Sequence, residues 1–260
     1  MDLKPKYQET VDDYQPFVLC PEENLDDLGD EFLGQQVEYF DSYGEHAEKL
    51  TEILLELDGQ AYDGLPMDNW ISVDGCQETC GIIGFGTYND EDPAVSVLDV
   101  PQDYEGIIPV SEFAGGFKPG QEFVVNTLSV ADKQKGLGAP TAALASQVVP
   151  GDEWYAVSQY DNPAPIIYSK LGDMDFLEAS VPGHSKPDES FKFGLNIEDE
   201  SVEKMLTGDV EHNEPDVVVG VDDEEKKQHL QQTDKQYKIL PPGSLEQDGE
   251  LKLALTEVKD

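Results

Sequence analysis

Apolar positions divide the chain into segments of two periods. Ala47, Leu50, Ile53, Leu54 and Leu57 recur at 3.6-residue spacing and predict a helix. Ser42 with Glu45 three residues on matches a capping box at its start, and Gly59 marks its stop. Leu25, Leu28, Phe32 and Leu33 give a helical spacing over 24–36. Strands are predicted at 14–20 (YQPFVLC), 69–73 (NWISV), 80–89 (CGIIGFGTYN), 122–131 (EFVVNTLSVA), 154–159 (WYAVSQ), 174–180 (MDFLEAS) and 190–197 (SFKFGLNI), with 94–100 (AVSVLDV) as a further candidate. A helix from Gly138 to about Val148 carries Pro140 in its first turn, and a short one runs from Pro163 to Leu171. Residues 101–121, rich in glycine and proline, read as an insertion.

That order predicts an α/β fold: a mixed, mostly antiparallel central sheet flanked by helices, with a strand–loop–helix step in its middle. Residues 1–13 read as a flexible polar N-terminus, 14–197 as the main domain, and 198–260 as an acidic C-terminal extension. The extension holds DVVVGV (216–221), a charged helix around 222–234, Pro-Pro-Gly at 241–243 and LKLALTEV (251–258).

Composition changes this picture in one respect above all. Fifty-six acids face sixteen basic residues, all lysine, for a net charge of −40 over 260 residues. Such a surface repels itself, and salt near 1 M, where the Debye length falls to about 3 Å, removes most of the repulsion. A disordered acidic chain, a nucleic-acid mimic and a protein built for molar salt compete as explanations. Acid spread over the whole length, beside well-patterned strands, favours the halophilic protein. The charge also disfavours binding to a nucleic-acid backbone. No apolar run approaches the roughly 18 residues of a membrane span, and the first residues carry no apolar core of a signal peptide.

Cys20, Cys76 and Cys80 are odd in number and lack a second metal-binding pair, so they predict reduced, buried thiols and no metal site. The histidines His46, His184, His212 and His229 have no ligand spacing.

Candidate chemistry concentrates in SVADKQKGLGAPTAAL, 129–144. A glycine turn follows a strongly apolar strand and opens a helix of small residues. Backbone amides at such a helix start converge on one point, backed by the positive end of the helix dipole. From Lys133 to Gly151 the chain has lysines and no acid, a local exception that an anion site explains. The plain alternative is a turn and nothing more. The spacing fits neither the dinucleotide fingerprint nor the Walker loop.

The strand LSV, the loop ADKQKGLGAP and the helix after it resemble the acetyl-coenzyme A loop of the GNAT N-acetyltransferase family. In that family a strand ending in valine leads to Arg/Gln-x-x-Gly-x-Gly/Ala. Val130 stands at the strand valine, Lys135 at the Arg/Gln position, Gly138 at the first glycine and Pro140 at the last small position, so Lys135 and Pro140 depart from the pattern. A second register places Lys133, Gly136 and Gly138 in those roles. Downstream, DNPAPIIYSKLGDMDFLEA (161–179) is similar to the family segment in which an asparagine precedes a short helix ending Tyr-x-x-Leu-Gly-Phe. Asn162, Tyr168, Leu171 and Gly172 match, and Asp173 replaces the phenylalanine.

The resemblance implies acetyl-CoA (acetyl-coenzyme A) as cofactor and transfer of its acetyl group to an amine, small molecule or peptide. It implies that Leu128 and Val130 bind the pantetheine arm, and that Lys135, Gly136, Leu137, Gly138, Ala139 and Pro140 hold the pyrophosphate. Asn162 would join the cofactor site, and Tyr168 would protonate the departing thiolate. A carboxylate would deprotonate the amine; Glu122, Glu153 and Asp161 are placed for it. The expected setting is the cytoplasm of a halophilic archaeon, or a virion of its virus. The competing class is a catalytically inactive GNAT-fold binding or structural protein, a virion component for example, using 198–260 to engage a protein partner.

The charge generates a first prediction. The protein loses structure when salt falls to about 0.1 M, where screening reaches about 10 Å. Thermal melts followed by circular dichroism from 0.1 to 2 M potassium chloride measure this, and an unchanged melting temperature overturns it.

Overall fold

Strand β1 (Gln15–Cys20) is buried from Pro16 to Cys20, as expected of a continuous apolar run covered on both faces. The computed structural model describes residues 2–44, 47–61, 80–116, 123–131, 136–149, 151, 153–183, 186–208, 213–247 and 249–259. They form two compact units, 1–151 and 152–260. Both are built of helices and mostly antiparallel sheet, the mixed α/β class that the apolar pattern predicts.

In the first unit, β1 pairs antiparallel with β5 (Cys80–Thr87) and parallel with β4 (Glu38–Asp41). Next to β5 comes β6 (Ile108–Gly116), then β7 (Phe123–Val130), both antiparallel. Helix α2 (Ala47–Ala61) lays Ala47, Leu50 and Leu54 on Phe17, Leu19, Ile82 and Ala114. At about 25 cal/mol per Å² of apolar surface, this packing is what holds the helix down. Helix α3 (Gly138–Val148) packs against β5 and β6, and β6 presents Ser111 to it. Ala114, three positions on, therefore faces the other way, toward α2.

Several expectations in this unit are corrected. Residues 101–121 are not a simple insertion, because β6 is a central strand, buried from Ile108 to Gly115. Its glycine, proline and polar residues hide it from an alternation pattern, since both faces are covered. Residues 24–36 do not form one helix. A 3₁₀ turn (Glu22–Asp27) leads to a hairpin of β2 (Glu31–Phe32) and β3 (Gln35–Gln36). Leu33 and Gly34 turn it with φ of 49° and 85°. Phe32, which supplied the helical period, instead meets the Phe85 ring edge-on at 5.9 Å. Residues 94–100 are not a strand; a 3₁₀ turn at Pro93–Val95 is capped by Asp92, whose carboxylate accepts from the Ala94 amide at 2.8 Å. Gly59 lies inside α2 and does not stop it. The N-terminal residues expected to be loose form α1 (Pro5–Asp13), which buries Tyr7, Thr10 and Val11 and packs on α3. The predicted strand 69–73, Glu45 of the capping box, and Cys76 lie outside the described residues.

The second unit has the sheet order β8 (Glu153–Gln159), β10 (Ser190–Ile197), β9 (Gly172–Glu178), β12 (Tyr237–Gln247), β13 (Glu250–Glu257), β11 (Val217–Val219), antiparallel throughout. Helices α4 (Pro165–Tyr168), α5 (Asp199–Thr207) and α6 (Glu224–Gln232) complete it. The rings of Tyr160, Phe176 and Phe193 stand 5.1, 6.0 and 5.9 Å from Phe191. Gly172 begins β9 where a Cβ would lie 1.9 Å from the Asn196 carbonyl oxygen, so the backbones meet only because the side chain is absent. Residues 198–260 add three strands to this sheet, through Tyr237 and Lys238 of β12 beside Phe176 and Asp175 of β9.

Lys227 is the one lysine buried among the described residues. Its ammonium donates to the Asp188 and Val221 carbonyls, both at 2.6 Å, and to Glu224 at 2.7 Å, and lies over the Tyr160 ring. The Tyr160 hydroxyl in turn donates to the Ala179 carbonyl at 2.9 Å. Lys227→Met strands both carbonyls and lowers stability by about 2–6 kcal/mol, counting about 1–3 per orphaned group. Urea unfolding in molar salt reads the loss; a variant within about 0.5 kcal/mol of the parent contradicts this account.

Candidate functional site

Residues singled out from the sequence fall in both units. In the first unit, β7 ends at Val130, and the Ala131 amide donates to the Val110 carbonyl at 2.8 Å, fixing the strand end to β6. Leu128 and Val130 are half-buried and pair with Phe113 and Ser111. Lys135 and Lys133 lie outside the described residues, as does Glu122.

The chain returns at Gly136 with φ +68°, a left-handed conformation that suits glycine. Leu137 is buried to 0% exposure, and Gly138, Ala139 and Pro140 enter α3 buried. The first amides of a helix have no partner within it. Here Pro140 has no N–H, and the Thr141 amide already donates to the Leu137 carbonyl at 3.0 Å. The first turn therefore offers at most the Gly138 and Ala139 amides.

Lys6 of α1 was not anticipated. A Cβ on Gly136 would lie 3.3 Å from its Nζ and 3.4 Å from its Cδ, so its side chain runs across the glycine. Lys4 and Lys6 both stand over the Tyr7 ring, at 5.4 and 4.8 Å from its centre. The only sequence signal was a pair of lysines flanking Pro5 at a helix start, and the fold alone brings them to residue 136.

The loop is anchored from below by hydroxyls. Thr141 donates to the Leu137 carbonyl at 2.8 Å, and Ser111 and Thr141 share a hydrogen bond of 2.7 Å. Because the Thr141 proton is committed, Ser111 is the donor there, and its oxygen accepts from the Phe85 amide at 3.4 Å. Three elements are thereby linked by one buried, directional chain.

In the second unit, the Asn162 carboxamide oxygen accepts from the Ala164 amide at 2.8 Å, setting the turn into α4. Tyr168 closes this helix, 4% exposed, its ring 5.8 Å from that of Phe193. The Leu171 amide donates to the Tyr168 carbonyl at 3.0 Å, and the Leu171 carbonyl accepts from the Glu198 amide at 2.9 Å. The Asn, Tyr and Leu-Gly positions thus form one turn, short helix and strand start. Glu153 and Asp161 are exposed at the two ends of β8.

Cys20 is a free thiol wholly buried in β1. Burial, with Asp41 as a second cause, pushes its thiol up to about 12. A cavity of about 400 Å³ lies past the ends of β1 and β4, lined by Pro21, Glu22, Glu23, Asp41 and Tyr43. Among the described residues no cluster of His, Cys, Asp or Glu is arranged to hold a metal ion. None of the described helices is long and apolar enough to cross a membrane.

No protein-family model matches the chain, and no curated protein or solved structure matches it either.

The hydroxyl chain yields a prediction. Thr141→Val costs about 1–3 kcal/mol by orphaning the Ser111 hydroxyl and removing one of the two bonds to the Leu137 carbonyl, which keeps the one from the residue 141 amide. Adding Ser111→Ala recovers part of that cost, so a double-mutant cycle by urea unfolding returns a coupling of about 1 kcal/mol. Strict additivity would show that the two hydroxyls do not act together.

Proposed function

We propose that the protein is an acetyl-CoA-dependent N-acetyltransferase of the GNAT type that works in high salt and acetylates an amine. The observation that carries the reading is the strand–loop–helix step. β7 ends at Val130, Gly136 turns with positive φ, α3 opens at Gly138, and Lys6 lies across the turn. The second segment supports it in the same chain order, with Asn162 turning into α4, Tyr168 ending it and Gly172 opening β9.

The residues fit a diphosphate. Lys6 supplies a cation where the chain has no arginine, Gly136 keeps the backbone bare, and the Gly138 and Ala139 amides stand at the positive end of α3. Lysine acts as a point charge without a fork, and Pro140 removes one donor, so the cradle relies on charge more than on geometry. When bound, acetyl-CoA supplies the acetyl thioester. The chain's own part is to orient the acceptor amine, take up its proton on a carboxylate such as Glu153 or Asp161, and return a proton from the Tyr168 hydroxyl.

One observation favours the second reading, a GNAT-like binding or structural protein without activity. The start of α3 is buried, and α1 packs on that helix. An enzyme needs this cradle open, whereas a scaffold does not.

Calorimetric titration with acetyl-CoA in about 2 M potassium chloride separates the two. Under the transferase reading the parent binds at micromolar affinity, Lys6→Glu binds at least tenfold more weakly, and Tyr168→Phe binds normally but turns over more slowly. A folded parent that takes up no acetyl-CoA sinks the transferase reading and directs attention to partners of 198–260.

A further inference from the structure

Strand β12 does not run evenly beside β13. Ile239 pairs with Leu255, but the next pair is Ser244 with Leu253, so Leu240, Pro241, Pro242 and Gly243 bulge out of the ladder. The bulge is seated on α4. Gly243 has φ +77°, and a Cβ there would lie 2.0 Å from the Pro165 carbonyl oxygen and 2.9 Å from the Ser169 hydroxyl. Only glycine permits both the conformation and the approach.

Helix α4 has four residues, far below the length at which a helix holds itself. Its place depends on what covers it. The contact is also incompletely satisfied: Ser169 and Ser244, 1% and 3% exposed, each have a hydroxyl with no hydrogen-bond partner among the described residues. Both flank the seat of Gly243. A buried hydroxyl left unpaired costs free energy that water restores on exposure. The cover is therefore held by shape, against a polar cost that lifting it would relieve.

We propose that the Leu240–Gly243 bulge is a releasable strap over α4. Seated, it fixes Tyr168 against Phe193; lifted, it frees the helix and wets both serines. The strap stands on this geometry alone, and only its consequence for proton return by Tyr168 rests on the transferase reading.

Amide hydrogen exchange on the full chain in about 2 M potassium chloride tests it. Amides of 166–171, bonded back to Pro163, Ala164, Pro165, Ile167 and Tyr168 within the turn, exchange together with those of Ile239, Leu240, Gly243 and Ser244 and ahead of the β8–β10 ladder. Gly243→Val, which cannot seat, speeds exchange at 166–171 at least tenfold and leaves β8 unchanged. Ser169→Ala with Ser244→Ala, which removes the polar cost, slows it at least threefold; this variant keeps the test valid if Gly243→Val fails to fold. Exchange at 166–171 that ignores both changes overturns the strap. Absence of acetyl-CoA binding by the parent would count against the transferase reading and leave the exchange result standing.

Discussion

Charge is the constraint under which everything else is arranged. Fifty-six carboxylates and sixteen lysines must be laid over a core without letting repulsion open it. The core is rich in aromatic rings, with Phe17, Phe32, Phe85, Phe113, Phe191 and Phe193 almost wholly inside. The lysines are spent where they count. Lys49, Lys204, Lys235 and Lys238 each meet an acid at the surface, contacts worth little singly. Among the described residues Lys227 alone is taken inside, where it gathers two carbonyls and a carboxylate and ties α6 to the turn before β10. Among the described residues, Asp58 and Glu112 of the first unit are the buried carboxylates.

Against that background, the lysines of α1 stand out. Lys4 and Lys6 lie over an aromatic ring, and Lys6 also crosses the glycine that begins the turn into α3. The hydroxyl chain through Ser111 and Thr141 holds this turn against β6. Under the proposed reading, the Lys6 ammonium beside the bare Gly136 backbone is what would draw a negative group to a surface that otherwise carries a large excess of acid. The burial of the helix start makes access, not charge, the property that separates an enzyme from a scaffold here.

The C-terminal residues share the sheet of the second unit instead of forming a separate tail. β12 joins β9 by its first residues, and its bulge then reaches α4. A short helix that cannot stand alone is thereby placed by a segment distant in sequence. This couples whatever Tyr168 does to the packing of 240–243.

The sequence by itself determined the elements whose period was clean or whose ends were punctuated. The strand 190–197, the helix from Gly138 to Val148, and the turn, helix and strand from Asn162 to Glu178 follow from apolar alternation, glycine and proline. It also marked the glycine loop, because two lysines without acids stand out in an acidic chain. Tertiary structure decided what periodicity cannot carry. β6, covered on both faces, shows no alternation and read as an insertion. Phe32 gave a helical spacing, yet the positive φ at Leu33 and Gly34 turned the chain into a hairpin and sent the ring to Phe85. Lys6 over Gly136 and Gly243 on Pro165 join residues some 130 and 80 positions apart. Local pattern reports which face of an element is apolar; which distant backbone comes close enough to exclude a Cβ is settled only when the whole chain packs.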